Sequence, residues 1–332
     1  MQVLKDSVHL QVLQLSKVHN NRRTNMGKVV VVGSFITDIA VYTPRFPVDG
    51  ETVMGDRLKF GPGGKGSNQA TAAHRAGAEV TMITKLGGDF MAQIAIDHYE
   101  NEKMDMKYVY RDAECETGSA IIEINKETAE NRIIVMTAAN EKITREEVFA
   151  AEKEFAECDV VLLQHETSPE SLAAAIELGN KYNKKIILNT APMREVDRSL
   201  FAKVDFVTPN ETEAEYYSGV KVVDLETARQ AAAKFKEMGA KNVLITLGKA
   251  GSYVNAGDID EIVPPFTVKA VDTTGAGDAF NGGFCAALSE GKDIISAVKF
   301  ASALAAISVT RPGTSPAMPY REEIDAFLAE RA

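Results

Sequence analysis

The chain has 332 residues, 45% of them hydrophobic, with a formal net charge of -10 and a pI near 5.2. That length suits one large α/β domain with a small appendage or two modest domains. The negative balance excludes a nucleic-acid or anionic-membrane partner, so a phosphorylated ligand needs a local site. Cys115, Cys158 and Cys285 show neither disulfide nor metal-ligand spacing, which fits a reducing cytoplasm. No apolar run approaches the ~18 residues that span a bilayer.

Residues 1–26 are basic, with Lys5, Lys17, Arg22 and Arg23 against Asp6 alone, and read as an extension outside a folded unit over 27–332. Val8 to Leu15 lacks the length and small-residue cleavage site of a secretory signal. Beyond Met26, apolar runs of strand length alternate with amphipathic stretches of helix length, which predicts βαβ units around a mostly parallel sheet. Strands are expected at Lys28–Gly33, Val80–Leu86, Asp159–Gln164, Lys185–Asn189, Asp205–Thr208 and Asn242–Thr246. Their Val, Ile and Leu content with little alternation marks strands covered on both faces. Thr144 with Glu147 forms a capping box, and Ser168-Pro169 marks a second helix start. Two segments, about 38–60 and 118–137, break the alternation and predict a small β-sheet lid over the carboxyl ends of the parallel strands.

Four stretches carry chemistry. The run Gly61-Pro62-Gly63-Gly64-Lys65-Gly66-Ser67-Asn68-Gln69-Ala70 precedes a helix expected over Ala70–Ala76. Its glycines let backbone approach a ligand, and Lys65 and Asn68 offer donors to hydroxyl or anionic oxygens; a glycine turn capping a helix explains the same run. Lacking Ser or Thr after Gly-Lys at the right spacing, it is not a Walker A loop. Later, a strand-like Val268–Val271 leads through Asp272-Thr273-Thr274-Gly275-Ala276-Gly277-Asp278 into a helix expected over Ala279–Leu288. Small residues at a helix start leave N–H groups free for the charge of phosphoryl transfer. Asp278 beside them could accept a hydroxyl proton, or simply cap the helix. Between these motifs, Thr208-Pro209-Asn210-Glu211-Thr212-Glu213 offers magnesium and phosphate contacts or an ordinary N-cap. Thr246-Leu247-Gly248-Lys249-Ala250-Gly251 lines a nucleotide pocket or turns a hairpin into Ser252–Asn255.

The ordered set Gly-Gly-Lys-Gly-Ser-Asn, Pro-Asn-Glu-Thr-Glu and Asp-Thr-Thr-Gly-Ala-Gly-Asp resembles the ribokinase (PfkB-type) family of sugar kinases, from about Lys28 to the C-terminus. The resemblance implies a central sheet flanked by helices, a β-lid that pairs two subunits, and ATP-dependent phosphorylation of a primary sugar alcohol, the 5-hydroxyl of D-ribose. It implies Asp278 as general base and Gly275, Ala276 and Gly277 as anion hole. The sugar would meet Ile36, Asp38, Gly64, Lys65, Asn68 and Glu166. The nucleotide would meet Asn210, Thr246, Gly248, Lys249, Gly251, Gly277 and Ser302. Magnesium would be reached by Glu213 through water, and a potassium ion would draw oxygens from Asp272, Thr274, Ser308, Arg311 and Gly313. Ala317 stands where the family usually has serine.

The sharpest departure is Ile36, where such kinases carry an asparagine that contacts a sugar hydroxyl. An alkyl wall there suits a sugar lacking that hydroxyl, so 2-deoxyribose is the alternative substrate; equally, Ile36 packs under the lid and a water or Asp38 takes over the contact. A dinucleotide oxidoreductase is disfavoured because the first strand ends Val32-Gly33-Ser34-Phe35-Ile36 without the Gly-x-Gly-x-x-Gly fingerprint. A non-catalytic sugar sensor would show a damaged base or anion hole, and both are intact.

Overall fold

The computed structural model describes residues 26–128 and 130–331; of the expected N-terminal extension only Met26 falls among them. The first strand, β1 (Lys28–Val32), shows how the core is built. Val29 and Val31 point into one apolar layer and Val30 and Val32 into the other, because successive strand residues face opposite sides. The first layer is closed by α1 (Lys65–Arg75), α2 (Met91–Glu102), α8 (Ala276–Ser289), α9 (Ile294–Ser308) and α10 (Arg321–Ala329). The second is closed by α3 (Arg145–Phe149), α4 (Glu152–Glu157), α5 (Pro169–Lys181), α6 (Glu211–Ser218) and α7 (Leu225–Glu237).

Flanking β1 are β4 (Glu79–Gly87) and β5 (Val109–Asp112) on one side and β8 (Val160–Leu163), β9 (Lys185–Leu188), β10 (Phe206–Val207) and β11 (Asn242–Thr246) on the other. With β12 (Ser252–Ala256) and β13 (Ile259–Val263) they form a nine-stranded sheet, ordered β13-β12-β11-β10-β9-β8-β1-β4-β5. All pairings are parallel except β11 with β12 and β12 with β13. The expected strands are all present, and the turn at Gly248–Gly251 makes the expected hairpin. The capping box at Thr144 and the Ser168-Pro169 helix start also form.

The lid is a separate four-stranded sheet, in the order β3-β2-β6-β7, made of β2 (Ile36–Thr43), β3 (Arg57–Gly63), β6 (Ser119–Asn125) and β7 (Asn131–Met136). Its outer pairs are antiparallel and its central pair, β2 with β6, is parallel. Every described residue of β7 is exposed. Among the described residues no helix is long and apolar enough to cross a membrane.

Three local expectations are corrected. The helix after the glycine run starts at Lys65 rather than Ala70, because Gly64, at φ 86°, turns the chain directly into it. Val268–Val271 forms no strand; instead Val271 and Asp272 donate their N–H groups to Val309 O at 2.7 and 3.1 Å. The helix expected from Ala279 starts at Ala276, with Gly275 as N-cap at φ 77°, so Asp278 sits inside its first turn.

Candidate active site

Four neighbouring strands end on a polar residue at the carboxyl end: Gln164 after β8, Asn189 after β9, Thr208 after β10, and Thr246 closing β11. Asn189, Thr208 and Thr246 line an open cleft of about 480 Å³ together with Lys65, Asn210, Glu213 and the turn Gly275–Asp278. This is the strand end at which doubly wound sheets bind ligands. The three motifs, scattered over more than 200 residues, meet there; Asn68 alone lies 210 positions from the acid it bonds.

Asp278 is 6% exposed and its two carboxylate oxygens are held separately. Asn68 donates its Nδ2 to Oδ2 at 3.0 Å, and Gln69 donates its Nε2 to Oδ1 at 2.9 Å. Ser315 fixes Asn68 from behind, donating its hydroxyl to Oδ1 at 2.6 Å. Asn281, one turn along α8, bonds Gly277 O at 2.9 Å and accepts from the Thr208 hydroxyl at 2.6 Å, which ties the turn to β10.

In the turn expected to form an anion hole, one of the three N–H groups is already engaged. Ala276 donates its N–H to Thr273 O at 3.2 Å, closing the turn. Among the described residues, the N–H groups of Gly275, Gly277 and Asp278 meet no acceptor and remain available at the positive end of α8.

Beside this hole, Lys65 lies among three carboxylates. Its burial opposes its charge, but Asp278, Glu166 and Glu213 outweigh that and raise its pKa. Glu166 accepts from the Ser34 hydroxyl at 2.5 Å and from Lys65 N–H at 2.9 Å, so one acid joins the end of β1 to the start of α1. Burial raises the pKa of Glu166, and that of Glu213 likewise. Asp38, on β2, is pushed up to about 7 by burial and then by the charges of Glu166 and Asp278. Gly63 lies across from it, where a β-carbon would be 2.4 Å from its Oδ2. Gly64 is equally obligatory, with a β-carbon there 2.6 Å from Ile36 N. Ile36 itself is 2% exposed at the start of β2.

Asn210 and Glu213 form a capping box at the start of α6. Asn210 Oδ1 accepts from Glu213 N–H at 2.8 Å while Glu213 accepts from Asn210 N–H at 3.0 Å. Capping therefore coexists with a place on the cleft wall. The burial that raises Glu213 leaves a carboxylate short of positive charge, a setting that suits a cation reached through water. Among the described residues no group of three or more His, Cys, Asp or Glu side chains gathers around one point, so a bound magnesium ion would rely on substrate phosphates for most of its ligands.

Asp272 spends both carboxylate oxygens on backbone, accepting from Thr274 N–H and Gly313 N–H, each at 2.9 Å. It thereby pins the Thr274 turn to the Gly313 loop. Ser308 donates its hydroxyl to Ala305 O at 2.9 Å and keeps its lone pairs, while Arg311, whose guanidinium pairs with Glu323, can offer only its backbone carbonyl. Such hard oxygens fit a monovalent cation. Ala317 is buried and supplies no side-chain oxygen. Of the expected nucleotide residues, Asn210, Thr246 and Gly277 line the cleft, whereas Gly248, Lys249 and Gly251 on their turn and Ser302 on α9 do not.

Gln69, Gln164, Asn189, Asn281 and Ser315 were not singled out by sequence reasoning. Gln69 adjoins Asn68 in the glycine motif, and Gln164 and Asn189 close predicted strands, so a polar residue ending an otherwise apolar strand was the available signal.

The family model for "pfkB family carbohydrate kinase" matches residues 26–321. The ribokinase of Haemophilus influenzae is 38% identical over 300 residues, spanning 90% of this chain and 98% of that one. The deoxyribokinase of Salmonella typhi is 36% identical over 302 residues, spanning 91% and 98%. Among solved structures, Arabidopsis thaliana ribokinase complexed with ribose and ATP superposes with a TM-score of 0.83 at 29% identity, covering 91% of this chain and 99% of that one. An acid at a helix start beside free N–H groups, under a β-lid, is thus accompanied by a match over nearly the whole described chain, and the chain belongs to the pfkB family of carbohydrate kinases.

Proposed function

We propose that the chain transfers the γ-phosphoryl group of ATP to the 5-hydroxyl of D-ribose, giving ribose 5-phosphate and ADP. The observation that carries this reading is Asp278, held by two amides at the start of α8 beside Lys65 and three free N–H groups. Asp278 takes the hydroxyl proton as the sugar oxygen bonds the phosphorus and the bridging oxygen leaves with ADP. Lys65 and the N–H groups of Gly275, Gly277 and Asp278 stabilise the charge on the transferring oxygens. Asp38, Gly64, Lys65, Asn68 and Glu166 orient the sugar. Asn210, Thr246 and the Gly248–Gly251 turn receive the nucleotide. Magnesium, when bound with ATP, neutralises phosphate charge, and Glu213 would hold it through water. Backbone and side-chain oxygens of Asp272, Thr274, Ser308, Arg311 and Gly313 would hold potassium. The three free thiols suit a reducing cytoplasm, and the exposed apolar strand β7 suits a homodimer joined lid to lid.

Sugar-dependent ADP release tests the reading. Asp278→Asn should lose about 10²–10⁴-fold in rate, and an unchanged rate would refute the base assignment. A second reading, 2-deoxyribose as substrate, is favoured by Ile36 and by the 36% identity to a deoxyribokinase. A panel of pentoses and hexoses decides between the two.

A further inference from the structure

Gln69 is fully buried, and all its side-chain hydrogen-bonding atoms are engaged. Its Nε2 donates to Asp278 Oδ1 at 2.9 Å and to Asn189 Oδ1 at 3.0 Å, while its Oε1 accepts from Gln164 Nε2 at 2.8 Å. An amide donates at one end and accepts at the other, so the Gln164 donor fixes which end of Gln69 meets the carboxylate. Turned over, Gln69 would set its carbonyl against Asp278 and leave two acceptors face to face. The cost of this polarity is visible at the far end. Among the described residues Gln164 Oε1 is buried without a donor, in a space that exists because position 33 is glycine; a β-carbon there would lie 2.3 Å from it. Asn189 is anchored in turn by donating to Thr208 O at 2.8 Å.

We propose that Gln69 is a positioning residue for phosphoryl transfer, holding Asp278 oriented to accept the hydroxyl proton through a polarised amide chain from Gln164. This rests on Asp278 being the base. The charged groups whose fields reach Asp278 are Lys65 on α1, Glu166 after β8, Glu213 on α6 and Asp38 on β2. Gln69 adds an uncharged donor at the one oxygen that Asn68 does not hold.

Gln69→Met keeps the length and apolar bulk of the side chain and removes its donors. At saturating sugar and ATP, kcat should fall about 10- to 100-fold, with both KM values within about threefold of the parent. The acid limb of the kcat profile should move up by about one pH unit, because the carboxylate has lost a donor to its ionised form. Gln164→Met, which frees Gln69 to turn over, should move the limb the same way by less. A purely structural role would reduce the folded fraction and leave the limb in place. If Gln69→Met does not fold, the limb of Gln164→Met decides alone: a shift supports the chain, and no shift overturns it. Loss of rate in Asp278→Asn with parental kcat and acid limb in both methionine variants means the clamp is wrong and the base stands. A parental rate in Asp278→Asn means the base assignment itself has failed.

Discussion

Gly282 on α8 lies against the backbone carbonyl of Gln69 on α1: a β-carbon at 282 would sit 2.4 Å from that oxygen and 2.6 Å from Ala72 Cβ. This glycine lets the helix bearing Asp278 press directly onto the helix bearing Asn68 and Gln69, and the hydrogen bonds of 2.9–3.0 Å depend on that approach. Gly282→Ala should force the helices apart. Overpacking costs about 1–3 kcal/mol, of which the better helix propensity of alanine returns about 1 kcal/mol, so thermal denaturation should show only a modest loss. Displacing a base by about 1 Å costs up to 10²-fold in rate. We therefore expect kcat to drop far more than stability does, and parental kcat in a folded alanine variant would contradict this.

Asp38 supplies a pH signature separate from that of Asp278. With its carboxyl at about 7, kcat/KM for the sugar, which reports the free enzyme, should fall as pH drops through neutrality. Asp38→Asn should abolish that limb. The stability effect has the opposite sense. A carboxyl whose folded pKa lies above its ordinary value of 3.8 contributes stability that is full below 3.8 and lost as pH rises through about 7. Asp38→Asn should consequently raise Tm more at about pH 8 than at about pH 4. Parallel Tm curves for parent and variant would show that the carboxyl is not perturbed.

The choice between sugars turns on position 36. Restoring an amide through Ile36→Asn should shift the ratio of kcat/KM for ribose over 2-deoxyribose upward by about tenfold or more. A ratio that does not move would place Ile36 under the lid as packing alone, in keeping with its burial.

The outer strand of the lid gives a test of association. Ile133, Ile134, Val135 and Met136 are 49%, 63%, 48% and 38% exposed, a contiguous apolar strip at a sheet edge. Ile134→Asp should convert a dimer into a monomer in sedimentation velocity. A parent chain already monomeric at micromolar concentration would remove the proposed lid-to-lid pairing.

Much of the scaffold was legible because buried parallel strands announce themselves as Val- and Ile-rich runs, and Asn242–Thr246 was bounded to the residue. The lid was visible as a break in that rhythm. Helix starts beside glycine were misplaced, since Gly64 and Gly275 use positive φ to enter a helix that composition alone delays by several residues. Val268–Val271 misled for the opposite reason: β-branched residues there suggested a strand, but Val271 is 65% exposed and no partner strand passes by. Asp278 was singled out from its local turn. Gln69 was not, because its contacts depend on which residues of α8 and β9 face it, and those are settled by helix packing rather than by any motif.

The bonds that hold Asp278 span 209 and 210 positions, and the Ser315 bond to Asn68 spans 247. A nascent chain that has completed its lid and most of its sheet still lacks the acid and the serine that complete this network. The network therefore forms late in synthesis and all at once, when the last helices dock onto α1. With Asp278 as the proposed base, a truncated product ending before residue 278 would retain Lys65 and Glu166 without turning over substrate.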